Sequence, residues 1–393
     1  MNRETKHSSF NSLRRCVSLW FVLRVVSVFV VWLAFYLKPR LSGIMVVTSL
    51  SRFLFEPWYR WDVLYYAEIV SHGYQPGAPT TNFHPLYPWL SAIVAVIFRE
   101  PVLSLLVVAS LASLLLTIQF YRLAKLDLDD QQAWQATALM LVWPASVALF
   151  LPYTEPLFLL LSVFCFYTAR QRKFWLAGLF GALATLTRQQ GLFLALPVAW
   201  EIWEASERRW SNALRKSLPL LLMPAAYGLW ILYRGLAVND VHPDFSSLQK
   251  FIHSVMISPS SYEITDQHAF LPPWLTVWRA VKVFWRGGVS GDGYIDLSLS
   301  IAFTGLFILS WRYLQASYRV YCVAIFLIAL SFYAGDINPL LALPRHLVLA
   351  FPVFIGLAAR YRLRTVPFVL VLIALTVCQL SLLRFFVWQS WIP

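Results

Sequence analysis

The sequence predicts an all-α protein that crosses a membrane many times, and three observations carry that reading. Of its 393 residues, 59% are hydrophobic and only 13% charged. The mean hydropathy of +0.62 is far above that of a soluble domain. Apolar runs long enough to cross, or nearly cross, a bilayer recur along the chain, at 18–37, 101–121, 133–150, 155–169, 174–187, 190–204, 217–234, 295–312, 319–334, 345–359 and 366–388. They predict about eleven transmembrane helices, several of them short, in a single integral membrane domain spanning 1–393. There is no tandem repeat and no low-complexity tract.

The first run follows the polar, basic stretch MNRETKHSSFNSLRR. At about 20 residues it is long enough to span, and no small-residue cleavage site follows, so it reads as a retained first helix rather than a signal peptide. Arg24 sits under two turns from its start and is expected to snorkel back to cytoplasmic headgroups. With a cytoplasmic N-terminus, the connections YRLAK, RQRK, ERRWSNALRK, WRYLQASYR and RYRLR all fall on the cytoplasmic side. With the N-terminal tail they hold 18 of the 32 Lys and Arg, as the positive-inside rule requires. The formal charge of +13 is therefore topological; no basic stripe or nucleic-acid motif accompanies it.

The opposite side receives two long loops, 38–100 and 235–294, and the short PYTEP, TRQQG and GDINPLLALPRH connections. Residues 83–98 are nearly as apolar as a span, but counting them as one would reverse the basic connections. They are expected to form a juxtamembrane helix in the outer interface, as is the run 41–55. GGVSGDG, residues 287–293, reads as a turn, since no Lys-Ser/Thr follows it and no strand precedes it. Cys16, Cys165, Cys322 and Cys378 show no paired or metal-ligand spacing and are expected to be free thiols.

Every segment with unusual chemistry falls on the non-cytoplasmic side. Asp62, flanked by Trp58, Tyr59, Trp61, Tyr65 and Tyr66, is either a partly desolvated general base or the N-cap of a helix over 63–70. Glu68 lies about 240° round that helix from Asp62, so the two do not make a paired-carboxylate site alone. His72 and His84 flank a Gly/Pro/Thr loop that is either a metal site or simple loop polarity, with no second acidic ligand at suitable spacing. Glu155, between Pro152 and Pro156, either caps a helix or serves function at a membrane boundary. Arg188, beside Gln189 and Gln190, and Arg345, beside His346, can bind phosphate in bidentate fashion or reach lipid headgroups.

RWDVLYYAEIVSHGY followed by NFHPLYP resembles the signature of the GPI mannosyltransferase II (PIG-V type) family. WPASVALFLPYTEPLFLLLSVFCF, FWLAGLFGALATLTRQQGLFLALP and LPRHLVLAFPVF are similar to that family in the same order. In place of the family's charged residue before Gly-Tyr this chain has Ser71-His72. The resemblance implies a GT-C-type helical bundle whose donor is a sugar on a polyprenyl phosphate and whose first outer loop supplies the catalytic acidic residue. It carries over onto Asp62, Trp61, His84, Pro85, Glu155, Arg188 and, more weakly, Arg345.

The resulting expectation is transfer of a mannosyl or other hexosyl residue to a hydroxyl of a glycolipid or glycan at the non-cytoplasmic membrane face, with inversion. Asp62 is the expected base, and Trp61, Tyr65, Glu68, His84, Glu155, Arg188, Gln189, Arg345 and His346 are the expected substrate contacts. No cofactor or metal is expected, and membrane lipids but no nucleic acid. The compartment follows the source: plasma membrane for a bacterium, endoplasmic reticulum for a eukaryote. A lipid-linked-sugar transporter and a non-catalytic glycolipid-binding subunit are the alternatives.

Overall fold

The computed structural model describes residues 3–37, 50–239, 242–256, 269–361 and 365–389. Residues 41–49 of the first expected juxtamembrane helix and 362–364 of the last basic connection lie outside them. In chain order the helices are α1 (Arg3–Leu37), α2 (Leu50–Phe55), α3 (Asp62–His72), α4 (Leu86–Phe98), α5 (Pro101–Ala124) and α6 (Asp130–Val142). Next come α7 (Glu155–Arg170), α8 (Phe174–Thr187), α9 (Ala195–Ala205), α10 (Trp210–Lys216), α11 (Leu222–Tyr233) and α12 (Leu248–Met256). The chain closes with α13 (Pro273–Arg286), α14 (Gly291–Ser310), α15 (Ala316–Ala329), α16 (Leu343–Leu347), α17 (Pro352–Arg360) and α18 (Thr365–Trp388). Among the described residues the only strands are β1 (Ala269–Phe270) and β2 (Phe332–Tyr333), paired antiparallel with Phe270 opposite Phe332.

The protein is all-α and polytopic. α7, apolar all round its circumference, is the axis of the bundle and is buried along nearly its whole length. It packs on α5 and α8; α8 in turn meets α11, and α1 meets α18, α6 and α5. The expected apolar runs are largely helical, but helix length does not confirm the count of eleven spans. Among the described residues five helices, at 11–37, 101–124, 218–238, 291–313 and 366–388, are long and apolar enough to cross a membrane. A helix such as α8 or α15, with 14 residues, reaches only about 21 Å, short of a hydrocarbon core of roughly 30 Å. The run 345–359 is divided between α16 and α17, and 190–204 opens as a 3₁₀ turn before α9.

The run 133–150 is a sixth span only if a bend is included, for α6 and the 3₁₀ helix Pro144–Phe150 meet at 83°. Pro144 causes the break, because it has no N–H to donate and its ring clashes with the preceding turn. The break strands carbonyls in an apolar interior, and polar side chains from other helices take them up. Gln379 of α18 donates to the carbonyls of Leu141 and Trp143 at 2.9 and 3.2 Å. Arg24 of α1 donates to the Phe150 carbonyl at 2.5 Å, and also to Ser110. Arg24 therefore does not snorkel; its guanidinium is spent inside the bundle.

The two ends of α7 carry separate polar clusters. At its C-terminus Arg170 pairs with Asp127 at 2.8 Å, lies 4.0 Å from Glu201, and covers the Tyr318 ring. Gln315 also donates to Asp127, so the ends bearing the basic connections after α5, α7, α9 and α14 meet there. Glu155, at the other end of α7, is about 22 Å away along the helix axis. The glycine-rich stretch is a turn only over Gly287 and Gly288, whose φ of +75° and +90° suit glycine; Gly291 to Gly293 already belong to α14. Cys16, Cys165, Cys322 and Cys378 are free thiols, the first three buried.

Gln379→Leu removes the donor that serves both Leu141 and Trp143 and is expected to cost about 1–3 kcal/mol of stability. The check is thermal or SDS-induced unfolding of the purified protein against wild type.

Candidate active site

At the N-terminal end of α7 a cavity of about 280 Å³ is lined by polar residues from six segments of the chain. Asp62 and Tyr66 come from α3, Asn82, Phe83 and His84 from the segment before α4, and Thr154 from the start of α7. Arg188, Gln189 and Gln190 follow α8, Arg234 follows α11, and Arg345 and His346 lie on α16. The remaining wall is largely apolar and includes Val255, Phe270, Ile328 and Phe332.

Asp62 is the first residue of α3, not its N-cap. That position falls to Trp61, whose φ of +54° is unusual for a bulky residue. The preceding Arg60 donates to the carbonyls of Val387, Glu56 and Tyr59, which holds this turn against α18. The Asp62 carboxylate instead accepts from Arg345 Nη1 at 3.0 Å, a partner 283 residues away. Tyr66, one helical turn on, shares the face of Asp62 and reaches the same cavity.

Glu155 likewise follows the N-cap position, occupied by Thr154. Its carboxylate is 2% exposed and is shared by two guanidinium groups, Arg188 Nη1 at 2.5 Å and Arg345 Nε at 3.1 Å. Arg188 Nη1 also donates to Thr154 Oγ1 at 2.8 Å. Arg345 lies over the Tyr153 ring with its centroid 5.0 Å away. Asp62, Arg345, Glu155 and Arg188 thus form one ionic chain, and neither arginine is directed to lipid headgroups. Burial lowers the Arg345 pKa, but Glu155 and Asp62 outweigh it, so the guanidinium is held charged.

Gly191 explains how Arg188 is placed. A Cβ there would stand 2.3 Å from the Thr185 nitrogen and 2.6 Å from the Ala184 carbonyl carbon, both backbone atoms. Only glycine lets the chain fold back onto the end of α8, and that return carries Arg188, Gln189 and Gln190 to the cavity. On the same helix end the Thr185 carbonyl faces His84 Nδ1 at 2.8 Å. A carbonyl only accepts, so His84 is protonated at Nδ1 and Nε2 is left as an acceptor. Burial, opposed by that hydrogen bond and aided by Arg234 and Arg188, lowers the His84 pKa to about 3. His346 Nδ1 faces two donors, Arg188 Nη2 at 3.4 Å and Gln190 Nε2 at 3.3 Å, and must accept from both. Burial and the charges of Arg188 and Arg345 hold it neutral.

The structure gathers Asp62, His84, Arg188, Gln189, Arg345 and His346 around one cavity, with Glu155 immediately behind its wall. Trp61 adjoins it, and its buried Nε1 has no partner among the described residues. Two expected contacts fall outside. Glu68 projects from the exposed side of α3, as its angular offset from Asp62 implies. Tyr65 is exposed and stacks on Phe83, 5.2 Å between centroids, rather than lining the cavity. Thr154, Tyr227 and Arg234 line it without having been named from the sequence, and Tyr66 and Gln190 had been named only as neighbours of Asp62 and Arg188. Arg234, an ionisable residue closing an apolar run, carried a usable signal. Among the described residues no three His, Cys, Asp or Glu gather into a metal-holding group.

Asp62 is the accessible carboxylate of the pair, its side chain 27% exposed against 2% for Glu155. The site can therefore accept a proton at Asp62 and stabilise negative charge with its guanidinium groups.

Residues 78–232 match a family model described as dolichyl-phosphate-mannose-protein mannosyltransferase. GPI mannosyltransferase 2 of Cryptococcus neoformans var. neoformans serotype D is 30% identical over 148 residues, covering 35% of each chain. GPI alpha-1,6-mannosyltransferase 2 of Cricetulus griseus is 31% identical over 166 residues, which cover 39% of this chain and 33% of that one. The match thus spans about a third of the length of these curated relatives. Both relatives carry the name of the family that the motifs resemble. Among solved structures, ArnT from Cupriavidus metallidurans bound to undecaprenyl phosphate is 17% identical with a TM-score of 0.49, covering 86% of this chain and 60% of that one. The oligosaccharyltransferase AglB from Archaeoglobus fulgidus, in complex with an inhibitory peptide and a dolichol-phosphate, is 13% identical with a TM-score of 0.46 and covers 94% of this chain and 56% of that one.

Glu155→Gln leaves two buried guanidinium groups without their shared charge and is expected to cost about 3–5 kcal/mol, read as a lowered melting temperature in detergent. His84 titrates near 3 when folded and near its ordinary 6.5 when unfolded. Its contribution is complete above 6.5 and is lost as the pH falls from 6.5 toward 3. Melting temperature is expected to fall across that window, and His84→Gln to make the fall shallower.

Proposed function

We propose that this chain is a membrane hexosyltransferase of GT-C type, transferring mannose from a polyprenyl-phosphate-linked donor to a hydroxyl of a glycolipid or glycan acceptor. The observation that carries the reading is the combination at one cavity of an accessible carboxylate, Asp62, with the guanidinium groups of Arg345, Arg188 and Arg234. Mannose comes from the relatives' names and the family model. By the same likeness the acceptor is a GPI precursor in a eukaryote; a bacterial chain would instead modify another glycolipid, a protein or a cell-wall polymer.

Transfer requires the acceptor hydroxyl to lose a proton as its oxygen attacks the anomeric carbon, while the bond from that carbon to the phosphate oxygen breaks. Asp62 takes the proton. The departing lipid phosphate gains negative charge, which the arginine-lined wall stabilises. Arg345 holds Asp62 in position, and Glu155 fixes Arg345 and Arg188 together. The sequence reading assigned Glu155 to orienting substrate; its burial favours orienting the two arginines instead. A carboxylate so enclosed is poorly placed to attack the sugar, which leaves one base and favours inversion. The apolar part of the wall, with Val255, Ile328 and Phe332, suits the lipid portion of a substrate.

The cavity lies at the end of the bundle opposite the basic Arg170 cluster, which favours the non-cytoplasmic face and a cytoplasmic N-terminus. A transporter would use the broken span at Pro144. Its freed carbonyls are instead taken by Gln379 and Arg24, and residues 143–150 are absent from the cavity wall.

Membranes carrying the wild-type chain are expected to transfer radiolabelled sugar from polyprenyl-phosphate-mannose to lipid or protein acceptors. Asp62→Asn at matched expression and melting temperature is expected to lower the rate about 10²–10⁴-fold. Near-normal transfer by that variant would remove Asp62 from the role of base.

A further inference from the structure

α13 carries its exposed apolar surface as one stripe. Trp274, Trp278, Val281 and Trp285 lie within about 60° of one another around the helix, and they are 75%, 55%, 52% and 90% exposed. The opposite side, with Thr276 and Ala280, is buried against the protein. Lys282 and Arg286 are exposed on the flank between the two. Three exposed tryptophans beside a basic edge are the composition of a helix lying in the headgroup region of a bilayer.

The position of the helix favours the same occupant. α14 is one of the five helices long and apolar enough to cross a membrane, and it begins at Gly291 after the turn at Gly287 and Gly288. Five Cα steps separate Arg286 from Gly291, so the end of α13 lies within about 18 Å of the start of that span. A second copy of this chain is a poorer occupant, because a two-fold axis along the bilayer normal would run the two stripes antiparallel and bring the basic flanks together. Anionic lipid phosphates complement them instead.

We propose that α13 seats its tryptophan stripe in the headgroup boundary of the bilayer, with Lys282 and Arg286 toward anionic lipid, and so anchors one wall of the cavity to the membrane. The connection is short. Leu271, two residues before α13, donates from its backbone to Ser331 at 2.8 Å, and Arg279 covers the ring of Tyr333 at 5.6 Å. Between these contacts Phe270 and Phe332 pair across the two strands, and both line the cavity. The bilayer surface thereby sets the height of an apolar wall of the site. This inference does not depend on which reaction the site performs.

The test uses the full chain in nanodiscs, one copy per disc, with Cys378→Ser removing the exposed thiol. Trp278→Cys, Trp285→Cys and, as a surface reference, Arg208→Cys are each labelled with an environment-sensitive fluorophore, keeping only variants that melt as wild type does. Labels at 278 and 285 are expected to emit at shorter wavelength and to be quenched several-fold more by lipids with a nitroxide near the glycerol than the label at 208. Replacing phosphatidylglycerol by phosphatidylcholine, or introducing Lys282→Ala with Arg286→Ala, is expected to reduce that quenching. Water-like emission at both positions overturns the proposal, as does a blue shift that arises only with two copies per disc. Quenching indifferent to both anionic lipid and the alanine pair overturns the role given to Lys282 and Arg286.

Discussion

The site depends on one carboxylate that water barely reaches. An ionised Glu155 is costly to bury unless its charge is answered at close range. Arg188 and Arg345 answer it together, at 2.5 and 3.1 Å. That requirement draws the end of α8 and the short helix α16 to the start of α7. Arg345 then has a second nitrogen to offer, and Asp62 is the carboxylate it reaches. The more accessible Asp62 carboxylate is thus aligned by a charge that itself stays behind the cavity wall. Neutral His84 and His346 fit this arrangement, since further cations beside two guanidinium groups would repel them.

The same economy of polar groups governs the apolar interior. The bend at Pro144 exposes carbonyls that lipid cannot serve, and α1 and α18 each contribute one long polar side chain to them. Arg24 and Gln379 therefore tie the first and last spans to the middle of the bundle. Along α7 the ionic contacts fall at the two termini.

The ionic residues were legible as a set, because the charge pattern of the connections put Asp62, Glu155, Arg188 and Arg345 on one side of the membrane. Their pairing was not legible: 283 residues separate Asp62 from Arg345, and no local rule spans that distance. Arg24 was misjudged for a related reason. Its depth in a helix was visible, but the Phe150 carbonyl it serves is 126 residues away, at the end of the 3₁₀ helix that follows the bend. Helical periodicity did separate Glu68 from Asp62, and applied one turn further it would have found Tyr66. Apolar composition could not fix the number of spans, because it reports burial in lipid and burial in protein alike.

The close return of the chain at Gly191 has an evolutionary corollary. With the Arg188 segment pressed onto the backbone of α8 and the charges locked into one chain, half of the cavity is ill suited to gradual remodelling. The other half, with Val255, Phe270 and Phe332, is apolar and comes from segments around the second long loop. Changes in side-chain size and loop length are tolerated more readily there than in the charged half.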